Sequence, residues 1–482
     1  MQILPGQAGR NPDQQAGVAR NDPLHRDVGC RLHVRHEVGT VNVVGAASRN
    51  LSLGLAVLVT LALVACAPKP TPTPTLAPAL APTLPPTPTP TPTLTPTAVP
   101  TPAPTPTPTA APTPVPRPTP TEPSTQLGRL NWGRDPGNGK PWTVEALRSR
   151  VNAWPRDEVG VQTKRVLWHA QETLGVEINA VPALHLEGVL FTDPRYKQSE
   201  AALRPLINDV YTWAVCARLA ERPLSDRCQR KASDAVLGWV ETYTPTGNHI
   251  SEGRFVPLLQ EIDLLLPTLS GEHQAVVRAW VGELARQGDA FYARLIPNDS
   301  RRTNNWASWR LLLRAMAAAV TGDEALRAST RALVATHVAQ NINIDGSSLD
   351  FHERDALGYH TYNLEALVQL VLYVPDAVGA EALAAIERAL GFLEPYFTGR
   401  KQHIEFLNSL VKFDADRRVA GDPGYAHTPW DPKKARGLLR LARARFLTIQ
   451  PWTESVVDDG YGPRIKHQAA LHAVPPPTSP GR

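Results

Sequence analysis

No dense run of lysine or arginine occurs in the 482 residues, and the formal charge of +5 is spread thinly along the chain. A nucleic-acid binder gathers its cations on one face, so nucleic acid is not expected as a partner. Strand-length alternation of apolar and polar residues is almost missing, which argues against β architectures. The apolar run at 51–65 is fifteen residues long, too short for a comfortable membrane span. No short exact repeat marks a tetratricopeptide-type array. Cysteine is scarce, with Cys30, Cys66, Cys216 and Cys228 making up the full set.

Proline, in contrast, is crowded into one place. Of the 48 prolines, 23 fall between residues 67 and 123, in a Thr-Pro repeat that cannot bury a core. Such a segment favours polyproline II and reaches on the order of 170 Å when extended. The apolar run before it has the length of a signal peptide and ends in Leu63-Val64-Ala65-Cys66, which resembles a bacterial lipobox with Cys66 as the acylated residue. The expectation is an exported lipoprotein facing the extracellular space or periplasm: leader and lipobox over 49–66, disordered tether over 67–125, folded domain over 126–482. Residues 1–48 are polar and aperiodic. They read as a mis-assigned extension, with translation starting just upstream of Arg49 at a non-standard codon such as that of Val41, Val43 or Val44. Cys30 falls in that extension. Cys216 and Cys228 lie twelve apart in a compartment that permits disulfides and flank a helix-to-helix turn. A bridge between them is expected, and two buried free thiols are the alternative.

The folded part is about 350 residues, enough for one sizeable core. Apolar residues recur at three- and four-residue spacing over 144–154, 161–174, 200–219, 230–242, 255–266, 272–295, 306–320, 323–342, 355–373, 380–396 and 433–446. Helices of this number, joined by short and medium loops, predict an all-α fold of paired helices stacked around an axis. An (α/α) toroid or incomplete α/α barrel leads, and an irregular α-solenoid is second.

Three stretches carry polar groups that architecture alone does not require. The first, Arg301-Arg302-Thr303-Asn304-Asn305-Trp306-Ala307-Ser308-Trp309, opens a helix. Capping explains one of its polar residues. Two Asn and two Trp suit a sugar, since indole faces stack on sugar rings and side-chain amides hold a carboxylate. The second runs from Asp345-Gly346 to Asp355-Ala356-Leu357-Gly358-Tyr359-His360-Thr361-Tyr362. On a helix from about Asp355, the residues Asp355, Tyr359 and Tyr362 share one face; core tyrosines are the plainer reading. His352 and His360 lack the companion spacing of a metal site. The third, Lys401-Gln402-His403-Ile404-Glu405-Phe406 with Phe413-Asp414 and Trp430-Asp431-Pro432, suits loop and cap contacts equally well.

Taken in order, these stretches resemble the alginate lyases, polysaccharide lyases with an Asn-Asn-His-x-x-Trp motif followed by Arg-Ala-Leu-x-Tyr-His-x-Tyr. Leu184-His185-Leu186-Glu187-Gly188 and Gly247-Asn248-His249-Ile250-Ser251-Glu252 also look like features of that family. The resemblance implies an α/α toroid, an acidic polysaccharide as substrate, β-elimination at a uronic acid, a monomer, and no metal or other cofactor. It makes Tyr362 and Asn305 catalytic, with Arg354 lowering the Tyr362 pKa and His360 as a further base. It makes Asn304, Trp306, Trp309, Tyr359, His249 and Arg302 substrate-binding. Two positions depart from the pattern: Trp306 stands where the family has His, and Asp355 where it has Arg. A surface carbohydrate-binding protein on the same fold is therefore an alternative. So is an α/α-barrel glycoside hydrolase drawing on Asp350, Asp355 and Glu252.

Overall fold

A computed structural model describes residues 126–153, 157–454 and 462–473. The chain divides into two units, Met1–Gly29 with Thr119–Arg482, and Cys30–Pro118; every described residue belongs to the first. The leader, Cys66 and the Pro/Thr tether lie outside the described residues.

Seventeen α-helices follow one another among the described residues: α1 (Val144–Asn152), α2 (Glu158–Thr173), α3 (Pro194–Pro205), α4 (Tyr211–Leu219), α5 (Leu224–Thr242), α6 (His249–Glu252), α7 (Val256–Leu265), α8 (Gly271–Ala293), α9 (Asn305–Thr321), α10 (Glu324–Asn341), α11 (Leu349–Arg354), α12 (Leu357–Tyr373), α13 (Ala380–Phe392), α14 (Glu394–Phe397), α15 (Lys412–Val419), α16 (Arg436–Arg443) and α17 (Pro463–His472). Extended pairing there is limited to isolated bridges. Local chemistry sets the ends. Asp157, Ser270, Asn304, Asp323 and Ser348 each accept a backbone N–H from the first turn of the helix they precede. Gly322, at φ 78°, closes α9 in the left-handed conformation that glycine adopts without strain.

Burial sorts the helices into two kinds. Every residue of α7 is buried, and α9 is buried almost all round, the signature of helices with neighbours on all sides. α8 and α10 bury one stripe each, Val277, Trp280, Val281, Leu284, Gly288 and Tyr292 in α8, and Thr330, Val334, Val338 and Asn341 in α10. Inner and outer helices alternate along the chain as pairs, α4 with α5, α8 with α9, α9 with α10 and α12 with α13. The inner series runs α2, α4, α7, α9, α12, α16, α17, and α17 packs back against α2, closing the ring. The fold is all-α, as the periodicity predicts.

Two ties secure the ring. Cys216 of α4 and Cys228 of α5 are disulfide-bonded, with Cα atoms 5.8 Å apart. The segment before α1 is pinned by Asp263 of α7, which accepts Arg129 N at 2.8 Å, Leu130 N at 3.0 Å and Trp132 Nε1 at 2.8 Å. Gly128 is required there, because a Cβ would sit 2.0 Å from the Asp263 carboxylate.

Candidate functional site

The helix expected from Asp355 does not begin there. α11 ends at Arg354, Asp355 takes φ 48°, and α12 starts at Leu357. Asp355 is thus a hinge between helices and does not share a helical face with Tyr359 and Tyr362. Its Oδ2 accepts the backbone N–H of Asn408 at 2.8 Å and the side-chain N–H at 3.0 Å, and its carbonyl accepts His403 Nε2–H at 2.9 Å. Glu405 accepts Gly358 N at 3.1 Å, placing a carboxylate on the free amides that begin α12. The third polar stretch therefore fixes the start of α12.

α9 begins inside a buried polar network. Asn304 caps it through Trp306 N at 3.1 Å and donates from Nδ2 to Glu353 at 3.2 Å. Asn305 is fully enclosed; its backbone N–H donates to Asp350 Oδ1 at 3.0 Å and its Nδ2 to the same oxygen. Its Oδ1 has no partner. Asp350, also fully enclosed, takes Asn341 Nδ2–H at 3.3 Å on its second oxygen. Burial pushes its pKa up to about 6, against the pull of the Asn305 hydrogen bonds. Behind it, Asn363 donates to Asn341 Oδ1 at 2.6 Å, and Ser308 donates to Asn363 Oδ1 at 2.5 Å and contacts His337 Nε2 at 2.7 Å.

The tyrosines of the second motif part company. Tyr362 is half-buried with its ring 5.0 Å from that of Trp309. Tyr359 is buried, with its hydroxyl 2.9 Å from that of Tyr425 and the Arg354 guanidinium 4.1 Å over its ring. Arg354 is ion-paired with the buried Asp414. The expected contact of Arg354 with Tyr362 is thus corrected: the cation is already spent between Asp414 and Tyr359. Although burial alone would lower its pKa, Tyr359 and Asp414 hold it above the ordinary arginine value.

Other expected site residues also turn out to be framework. His360 is fully buried, with Nδ1 facing Ser348 N at 3.3 Å and Oγ at 3.0 Å, and Nε2–H donating to Ala389 O at 3.1 Å. Burial holds its pKa down to about 4, so it stays neutral with both nitrogens used. Arg302 donates to the carbonyls of Tyr292, Leu295 and Ile296 and so caps α8. Trp306 is buried and stacked on Phe291, 5.8 Å away, with the Arg301 guanidinium 5.5 Å from its ring and 5.7 Å from that of Phe291; so enclosed, it offers no face to a sugar. Trp309, also buried, faces Tyr362 and the position of Gly253, so the two indoles serve different contacts. His249 is buried against Phe291 and Tyr292, and burial, then Arg310, depresses its pKa to about 3. Of the hydrolase candidates, Glu252 collects Thr246 N at 2.5 Å, Thr246 Oγ1 at 3.0 Å and Gly247 N at 3.1 Å, a carboxylate engaged in holding its own loop.

Structure joins Asp414 of the third polar stretch to two residues that periodicity had no means to find, Arg417 of α15 and Tyr425 of the turn after it; Arg417 lies 5.3 Å over the Tyr425 ring and donates to Val189 O at 2.6 Å. The turn signal Asp422-Pro423-Gly424 next to Tyr425 was the available hint. Glu187 accepts Asn248 Nδ2–H, joining the two upstream motifs, and burial raises its pKa against the opposing pull of Arg301. Among the described residues, no group of three His, Cys, Asp or Glu is placed to hold a metal ion.

Among curated proteins, none matches the chain. Solved structures similar to it include alginate lyase A1-III from Sphingomonas species A1, at 17% identity and TM-score 0.43, with 69% of this chain and 95% of that one covered. An alginate lyase from Bacteroides ovatus is similar at 14% identity and TM-score 0.47, with 69% and 97% covered. The alginate lyase family profile matches residues 145–403, more than half of the 482-residue chain, and that span contains α9, α11 and α12 entire. The chain belongs to the alginate lyase family and is a polysaccharide lyase.

Proposed function

We propose that this lyase cleaves a uronic-acid-containing, alginate-like polysaccharide by β-elimination, with Tyr362 carrying the proton. In that reaction a base removes H5, the C4–O4 bond breaks, a C4–C5 double bond forms, and an acid returns a proton to O4. The C5 carboxylate must be steadied for H5 to become acidic, and the side-chain amide of Asn305 is assigned that role. Asn305 has a second Nδ2 hydrogen beyond the one given to Asp350; using it requires the enclosing side chains to part. The chemistry itself calls for neither metal nor organic cofactor.

The observation that carries this reading is the contrast within one motif. Inside the family-matched span, Tyr362 is half-buried against Trp309, while His360, Tyr359 and Arg354 are enclosed and committed to one another or to neighbours. The test is incubation of the purified protein with a panel of polyuronates. New ultraviolet absorbance from unsaturated ends is expected; reducing ends without absorbance would replace the elimination with hydrolysis.

Anchoring at a membrane through Cys66, with the Pro/Thr segment as spacer, completes the proposal. Its basis is the lipobox and tether in the sequence. Changing Cys66→Ala should move the protein to the soluble fraction or leave it unprocessed, and unchanged partitioning and lipid labelling would reject the anchor.

A further inference from the structure

We propose that Asp350 is a positioning residue for the lyase reaction, fixing which end of the Asn305 amide is offered to the substrate. The proposal rests on the assignment of Asn305 to the carboxylate of a uronic acid.

An amide side chain turned by half a rotation exchanges its donor for its acceptor. The two states are close in shape and opposite in chemistry: one offers N–H to a carboxylate, the other sets an oxygen against it. Asp350 removes the ambiguity. An ionised carboxylate only accepts, and Asp350 Oδ1 receives both the backbone N–H of Asn305, at 3.0 Å, and its Nδ2. The turned amide would place Oδ1 against that carboxylate.

The chosen orientation does not satisfy Asn305 itself. Its Oδ1 is buried with no partner, an arrangement that is unfavourable by itself. Asp350 in turn is a fully enclosed carboxylate with no cation among its partners: Asn305 of α9 and Asn341 of α10 bond it, and Glu353 of its own helix is the charged neighbour. A simple cap for α9 would not need a buried, unpaired carboxylate; Asn304 already caps that helix.

The polarity of the network is consistent from end to end. Asn341 donates to Asp350, Asn363 to Asn341 and Ser308 to Asn363. Ser308 is then left to accept from His337 Nε2, at 2.7 Å. Asn341 also donates to the Thr303 carbonyl at 2.8 Å, so two acceptor-only groups, that carbonyl and the Asp350 carboxylate, together set the direction of the amides. The same chain reaches both halves of the proposed site: Ser308 precedes Trp309, and Asn363 follows Tyr362. Asp350 therefore sets the amide of Asn305 and registers α9 against α12.

Replacing Asp350→Asn keeps shape and removes the rule that only a donor may face it. On the best polyuronate, Asp350→Asn should lower kcat by about 10²-fold, the scale of a small misplacement of a reacting group, with KM nearly unchanged. In a double-mutant cycle with Asn305→Ala, the second substitution should then add almost nothing to the kcat loss. Multiplying losses, or a fall in Tm with wild-type kcat, would overturn the positioning role. If Asp350→Asn does not fold, Ser308→Ala removes the donor to Asn363 with little change in volume; a several-fold drop in kcat at constant KM supports the network, and unchanged kcat overturns it. A wild-type protein without turnover on any polyuronate would instead remove the lyase assignment on which this rests.

Discussion

Tyr359 and Tyr362 stand one turn apart at the start of the same helix, in the same short motif, and the ring fold gives them opposite surroundings. Tyr359 faces the packed side, where Arg354 covers its ring, Asp414 holds Arg354, and Tyr425 meets its hydroxyl at 2.9 Å. Burial keeps its proton on, raising its pKa well above the ordinary tyrosine value despite the nearby cation. Tyr362 lies against Trp309 and keeps part of its surface. Two residues of one type thus separate into a piece of framework and a candidate for chemistry, and the separation comes from the neighbours supplied by α15 and α9.

The contrast is most exposed at Tyr362. Removing only the hydroxyl, Tyr362→Phe should cost about 10²–10⁴-fold in kcat, the span of general acid–base contributions, and near the upper end if one group acts as both base and acid. Thermal unfolding should change little, since the ring still packs on Trp309. Turnover close to wild type would move the chemistry elsewhere.

Arg354 should behave as framework. Arg354→Met leaves Asp414 buried without its cation, and breaking a buried pair from one side typically costs about 3–5 kcal/mol. Denaturant unfolding should show that loss. If stability is unchanged while kcat collapses, Arg354 belongs with Tyr362 after all.

How much of this could be read from sequence depends on the kind of signal. Helices with a clean apolar stripe, such as α8 and α10, were legible almost to their ends, because burial on one face leaves a 3.6-residue period. The break at Asp355 was not, since the residues around it continue a helical pattern and the φ of 48° is imposed by Asn408, His403 and Phe406 from far along the chain. α17, which closes the ring on α2, is short and opens on Pro463, so its pattern is too brief to stand out. In the site, residue types were informative and partners were not. Arg354 near two tyrosines is visible in the sequence; that it chooses Tyr359 is decided by Asp414, sixty residues later. Asn305 was legible as important, and the Asp350 that holds it carried no spacing signal toward it.

The enclosed histidines should contribute a definite part of the pH dependence of stability. His360 is held near 4, and His249, His337, His467 and His472 near 3, all by burial, against about 6.5 in the unfolded chain. Below about 6.5 the unfolded histidines take up protons that the native ones refuse, so their contribution to stability is full above that pH and is lost as pH falls toward 4. Asp350 works the other way, because its folded pKa of about 6 lies above the unfolded value, and so do Glu187, Glu252, Glu261, Asp263 and Asp414, whose carboxyls burial also holds above the ordinary range. The histidine part is read by difference: between pH 7 and pH 5, His360→Gln should lose less Tm, or gain more, than wild type, because the unfolded variant takes up one proton fewer. A His360→Gln profile parallel to that of wild type would mean that this ring is not enclosed as described.

The smallest effect expected is also the one that closes the comparison. Tyr359→Phe removes a hydroxyl whose partner is Tyr425 at 2.9 Å and leaves the ring under Arg354 intact. A lost neutral hydrogen bond typically costs about 0.5–1.5 kcal/mol, and the cation above the ring keeps its contact with the aromatic face. Stability should drop by about that amount, while kcat and KM stay within about twofold of wild type, since no step of the elimination passes through Tyr359. The pair of substitutions then reads as a cross: Tyr362→Phe moves kcat and spares Tm, and Tyr359→Phe moves Tm and spares kcat. Should Tyr359→Phe abolish turnover while Tm holds, the proton carrier sits one turn earlier, the Arg354 guanidinium becomes the group that tunes it, and the roles given to the two tyrosines exchange.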